Sequence, residues 1–192
     1  MKKYTQEEYD NFEINEYGYK ICPTGDYTDI KDFGAYCKFG AGCCFGAGCN
    51  FGVGCSFGAR CNFGEWCRFG DRCNFGVGCS FGEWCNFGEW CRFGDRCNFG
   101  VGCSFGEWCS FAMYCNFENG RVINGIYFAC DRIGSEKRKT YFFKGDNGYF
   151  VRAGCFFGTF DEFVDRVHQV HADTKFEKEY ELAVELAKVV LG

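Results

Sequence analysis

From Cys37 to Gly120 the chain alternates apolar and polar positions on a six-residue beat: Cys, a polar residue, Phe, Gly and two variable residues. Fourteen such hexads follow one another, and the last two decay to CSFAMY and CNFENG. Cys and Phe stand two apart, and residues two apart in a strand share a face. The pattern predicts one very short strand per hexad, with Cys and Phe turned inward and the residue between them turned out. The outward set runs Lys38, Cys44, Asn50, Ser56, Asn62, Arg68 and on to Asn116. Thirteen of its fourteen members are polar, Cys44 being the exception. Gly after Phe is expected to permit a corner through backbone angles that other residues avoid. KDFGAY (31–36) reads as a degenerate first copy, and TDI (28–30) as a still weaker strand.

A fixed short period is the signature of a solenoid. With three hexads per turn, residues 18 apart stack at ~4.8 Å, the usual strand spacing, and the interior holds columns of Phe and columns of Cys. The stretch 61–84 recurs unchanged as 85–108. A four-sided coil of 24 residues would stack those copies on one another, but a duplication explains the identity equally well, and three sides are expected. Each buried Phe contributes roughly 1.5–3 kcal/mol before chain entropy is set against it. Fourteen of them should support four to five turns.

This grammar resembles the bacterial hexapeptide-repeat proteins, with Phe and Cys in place of their typical aliphatic and small inward residues. The resemblance implies a mainly β, left-handed parallel β-helix of triangular section. Many proteins of that family are acyltransferases that use a coil histidine as general base. The coils here contain no His, since both histidines, His168 and His171, lie beyond them. The fold is therefore expected without the activity, and no catalytic residue is assigned. The flanks CPTGDYTDIKDFG, DRIGSEKRKTYFF and AGCFFGTFDEFV resemble proteins of gut bacteria, their phages and mobile elements that carry CxFGxx arrays of variable length. That resemblance brings no established activity, and implies an accessory protein that binds a host or defence component.

The expected organisation is an N-terminal cap (1–30), the hexapeptide solenoid (31–120), and a small α+β module (121–192) that caps the array or forms a homo-oligomer. In the first, TQEEYDNF suggests a short helix and CPTGDY an irregular turn. In the last, RVINGIYFACDRIG, KTYFFKG and GYFVRAGCFFG read as strands, GDNG (145–148) as a hairpin turn, and EKRK (136–139) as a solvated loop. Two helices follow. Thr159 with Glu162 and Thr174 with Glu177 make capping boxes. Their apolar stripes are Phe160, Phe163, Val164, Val167 and then Phe176, Tyr180, Ala183, Ala187, Val190. His168 and His171 could share a face, but no third ligand is evident in the sequence.

Eighteen cysteines in 192 residues would ordinarily suggest a disulfide scaffold. The spacing is metronomic, however, and MKKYTQEEYD has no apolar segment of a signal peptide. A reducing cytoplasm is expected, with the hexad thiols acting as compact core filler. No C-x-x-C pair exists, so neither a metal nor any other cofactor is expected. Nor is a membrane span, since no run of 18 apolar residues occurs. The net charge of −5 disfavours general nucleic-acid affinity.

Chemistry is then left to the variable pairs after each Gly. Folded three to a turn, they place Trp66 beside Trp84 on one edge and Trp90 beside Trp108 on another, with Arg72 one coil from Trp90. Glu65 pairs with Glu83, and Asp71, Glu89 and Glu107 form a short acidic column. Together with Arg96, these residues are the candidate partner-binding site, because Trp and Arg are typical interface anchors. A protein partner is expected. The alternatives are rings that merely shield the corners, and an anti-CRISPR-like inhibitor acting by acidic mimicry. Residues 37–120 carry six Lys/Arg and seven Asp/Glu, which is too balanced for mimicry over the whole surface.

Overall fold

The computed structural model describes residues 1–106, 109–117, 121–145, 148–154 and 156–192, with side chains at all of these except 121–126 and 138. Two compact units result, Met1–Gly120 and Arg121–Gly192. Among the described residues no helix is long and apolar enough to cross a membrane.

The first unit is a parallel β-solenoid. A helix α1 (Gln6–Asp10) precedes strands β1 (Lys20–Cys22), β2 (Asp26–Tyr27) and β3 (Asp32–Phe33). Fourteen strands follow, one per hexad, from β4 (Cys37–Phe39) to β17 (Cys115–Phe117). Every third strand pairs, giving three parallel sheets and a three-sided coil. Phe75 lies opposite Phe57 in one neighbouring coil and Phe93 in the other, a step of 18 residues. The 24-residue identity is therefore not the turn. The first coil begins earlier than the hexad pattern marks. Tyr27 pairs with Phe45 and Phe33 with Phe51, while β1 pairs with β4 one residue short of 18, which puts Cys22 opposite Phe39. CPTGDY thus joins two strands, and the second of them ends just before the TDI segment.

Three Phe per coil fit because the rings differ in orientation. Within a column, rings stack: Phe63 and Phe81 are 4.9 Å apart at 5°. Between columns they meet edge to face: Phe69–Phe75 and Phe75–Phe81 are 5.0 and 4.9 Å apart, both at 88°. Both arrangements suit the ring quadrupole. At the N-terminal end, Tyr4 stacks on Tyr27 at 5.1 Å and Tyr9 meets Phe33 edge-on at 5.1 Å, so α1 covers the first aromatic layer. Thr5 and Glu8 cap α1 reciprocally.

The cysteines do more than fill space. Each thiol from Cys55 to Cys115 donates to the carbonyl of the Gly 21 residues earlier, as in Cys73 Sγ to Gly52 O at 3.5 Å and Cys85 Sγ to Gly64 O at 3.3 Å. Among the described backbone bonds, no N–H reaches the Gly52 carbonyl. Cys is thus a small side chain that carries a donor, which Ala and Val lack. No disulfide forms among the seventeen described cysteines; fourteen are buried, and Cys44, Cys103 and Cys130 are part-exposed. Burial among Phe rings keeps Cys73, Cys85 and Cys97 from solvent, and a buried structural thiol is inert. Cys73→Ala, which strands the Gly52 carbonyl, is expected to cost about 1–2 kcal/mol, and Cys73→Ser, which keeps a donor, less. Urea unfolding of the two variants measures the difference, and a serine variant no better than alanine would refute the donor role.

The hexad glycine has a different reason from the expected one. Its φ is not positive at any hexad. A Cβ on Gly82 would instead lie 2.6 Å from the backbone N of Glu65 in the coil before, and Gly58, Gly64, Gly76 and Gly106 are equally tight. Close approach of backbones, not an unusual angle, requires Gly there.

The second unit is an antiparallel sheet of β18 (Arg121–Ile133), β19 (Arg138–Gly145), β20 (Gly148–Ala153) and β21 (Phe156–Thr159), followed by α2 (Phe160–His171) and α3 (Lys175–Leu191). Gly145 pairs with Gly148, although residues 146 and 147 of the expected GDNG turn lie outside the described residues. GYFVRAGCFFG is a hairpin rather than one strand, and EKRK is split between a turn and the start of β19. The core of this unit joins Phe142 and Val151 to Phe160, Phe163 and Val167 of α2 and Ala183, Val184, Ala187 and Leu191 of α3. Val190, expected in the stripe, is exposed, and Leu191 takes the inward place. The Thr159–Glu162 box is complete. At α3 the Thr174 side chain accepts from the Glu177 N–H, but the Glu177 carboxylate reaches back to the N–H of Asp173 instead of Thr174.

Candidate functional site

The last residue of every described hexad corner has a positive φ near 60–70°. At Gly42, Gly48, Gly54, Gly78 and Gly102 this angle is free of strain. At Tyr36, Arg60, Trp66, Arg72, Trp84, Trp90, Arg96 and Tyr114 it is not. A non-glycine residue there costs roughly 1–2 kcal/mol. The angle is kept by the ladder itself, because the N–H groups of Tyr36, Arg60, Trp66, Arg72, Trp84 and Arg96 each donate to the carbonyl one corner up, as in Trp66 N to Glu83 O at 2.9 Å and Arg72 N to Glu89 O at 2.7 Å. The side chain at this slot leaves the coil at its outermost point.

Three edges result from the 18-residue step. One carries Tyr36, Gly54, Arg72 and Trp90. The second carries Gly42, Arg60, Gly78, Arg96 and Tyr114. The third carries Gly48, Trp66, Trp84 and Gly102. On the third edge the Trp66 and Trp84 rings stack at 5.6 Å and 13°. The Trp84 ring lies over Gly102, where a Cβ would meet it at 2.5 Å, and Tyr36 lies over Gly54 likewise. The rings therefore recline along their edges and still expose 59% of Trp66, 49% of Trp84 and 47% of Trp90. On the first edge Trp90 and Arg72 line a surface cavity of about 290 Å³ with Asn74 and Arg92 of the adjoining face.

The carboxylates behave less uniformly. Asp71 Oδ1 accepts the N–H of Glu89 at 2.8 Å, and Asp95 Oδ1 accepts that of Met113 at 3.0 Å. Those two groups are thus engaged in coil-to-coil bonding, whereas Glu65, Glu83 and Glu89 are exposed at their corners. Asp71 and Glu89 do stand in one column, but through this backbone bond. Glu107 and Trp108, expected on the same edge, lie outside the described residues.

Asn74 and Arg92 were not singled out by the corner pattern, because they occupy outward strand positions. The signal that places them is the adjacency of each corner to the strand that follows it. Arg60, Tyr36 and Tyr114 share the strained slot with the Trp residues, and the six-residue count from Trp66 finds all three.

No family model matches this chain, and neither a curated protein nor a solved structure does.

Proposed function

We propose that the solenoid is a non-enzymatic protein-interaction scaffold whose partner seats on the edges built from Trp66, Trp84, Trp90, Arg72 and Arg96. One observation carries this reading. The corner slot holds either Gly, which is unstrained, or a large Trp, Arg or Tyr, which is strained and exposed. A corner that needed only to turn would be served by Gly, or by Asn, which tolerates this angle. Strain that persists at exposed side chains is a mark of a functional site. Trp, Tyr and Arg are also the residues that dominate binding energy at interfaces.

The resemblance of the flanking segments supports the further reading that this is an accessory protein of a phage or mobile element, and that the partner belongs to its host. Acidic mimicry is the weaker alternative, because Asp71 and Asp95 are committed to backbone N–H groups.

The double variant Trp66→Gly/Trp84→Gly tests the proposal. Relief of about 1–2 kcal/mol of backbone strain per site offsets the lost ring contacts, so stability should stay within about 2 kcal/mol of the parent. Capture of a partner that the parent retrieves should be lost. Circular dichroism melting and parallel pull-downs report the two effects. A variant that unfolds supports the shielding role, and one that keeps the partner places the interface elsewhere.

A further inference from the structure

We propose that His168, Glu177 and Glu181 form a binding site for a zinc-class divalent cation that clamps α2 to α3. His168 comes from α2. Glu177 and Glu181 come from α3, four residues apart, and so lie on one face a single turn from each other. His168 Nε2 is 3.3 Å from Glu181 Oε1 and 3.7 Å from Glu177 Oε1. One ligand atom from each of the three residues falls within 4.8 Å of the other two. Tetrahedral zinc with bonds of about 2.0–2.2 Å sets ligand-to-ligand separations of about 3.3–3.6 Å. Of the two edges at His168, the 3.3 Å one lies inside that range and the 3.7 Å one about 0.1 Å beyond it.

The donors are also oriented from outside the cluster. Glu177 Oε2 accepts the N–H of Asp173 at 2.8 Å, at the start of α3, and its Oε1 is the oxygen turned to His168. Lys178 Nζ lies 3.7 Å from Oε2 of Glu181, leaving Oε1 to face the imidazole. Such outer contacts fix ligand geometry at metal sites. Charge points the same way. A groove of about 510 Å³ beside Glu181 is lined by Asp161, Asp165 and Glu185 against Lys178 and Lys188. An excess of carboxylates in a cleft raises the local concentration of cations.

One imidazole and two carboxylates suit zinc, cobalt or nickel rather than a thiol-seeking ion such as Cu(I). Three protein ligands leave a fourth position for water. His171 is not part of the set, since its ring packs against Phe176 and Tyr180 at 5.9 and 5.8 Å. The histidine pair visible in the sequence is therefore divided, and the missing ligands come from the other helix.

The test is calorimetric titration of zinc chloride into the full chain, with its reactive thiols alkylated beforehand under native conditions. One equivalent should bind, and the helical melting transition should rise by several degrees over that in chelator. His168→Gln and Glu181→Gln should each weaken binding at least tenfold, while His171→Gln should leave it within threefold. All three substitutions lie outside the buried core, and circular dichroism checks that each variant folds. Absence of binding to the parent would reduce the cluster to a histidine–carboxylate ion pair and overturn the proposal. Binding that survives both His168→Gln and Glu181→Gln would assign the zinc to other ligands and overturn it equally.

Discussion

Phe75→Ala is expected to destabilise the solenoid by about 3–5 kcal/mol, the usual range for a buried Phe truncated in a packed core. Phe75 stacks on Phe57 at 5.0 Å and on Phe93 at 4.9 Å, and meets Phe69 and Phe81 edge-on at 5.0 and 4.9 Å. The rest of its coil cannot collapse into the gap, because neighbouring backbones are held at strand spacing by the ladder. Each lost ring pair adds roughly 0.5–1.5 kcal/mol beyond buried area, although the pairs share one cavity and do not add independently. Phe33, in the first coil, stacks on Phe51 and is covered on its other side by the edge of Tyr9. Phe33→Ala should therefore cost less than Phe75→Ala. Chemical denaturation of the two variants measures both. Equal losses would show that the aromatic columns are not what holds the coils together.

Gly82→Ala is expected to cost about 3 kcal/mol or more, at or above the upper end of overpacking effects. The added methyl would lie 2.6 Å from the backbone N of Glu65 and 2.7 Å from the carbonyl carbon of Gly64. Neither atom is the end of a flexible side chain, so relief needs one coil to move away from the next. That movement would weaken the bond from Gly82 N to Phe63 O at 2.9 Å. Gly78→Arg is the control. Gly78 has a φ of 70°, and a Cβ there would meet only Arg60 Cγ at 3.7 Å. Arg60, Arg72 and Arg96 already occupy the same slot in other hexads, so this variant should lose only about 1–2 kcal/mol of stability, as added backbone strain. Thermal melts that rank the two substitutions the other way would refute the close-approach explanation.

The contrast between these glycines shows how far the sequence could be read. Both are Gly in the letters, one at the fourth and the other at the sixth position of its hexad, and their reasons differ. The corner angle was assigned to the glycine after Phe, yet it falls on the last residue of the hexad, which is why Trp, Arg and Tyr there carry strain. The stacking of Trp66 on Trp84 followed from an 18-residue step, since the corners simply repeat with the coil. The cavity at Trp90 did not follow, because it joins a corner to the outward residues Asn74 and Arg92 of the next strand. Nor did the engagement of Asp71 by the N–H of Glu89 follow, because that bond joins two coils.

By itself the sequence determined the solenoid, because a period of six with Cys and Phe on alternate positions has one economical way to bury both. It determined the inward and outward faces for the same reason, and the capping of α2, because that motif acts over three residues. The tertiary structure decided whatever depends on contact between coils or between helices: the thiol-to-carbonyl bonds 21 residues apart, the perpendicular Phe columns, and the convergence of His168 with Glu177 and Glu181. Local pattern encodes which face a residue takes. It does not encode the distance between two groups that meet only after the chain has turned back on itself.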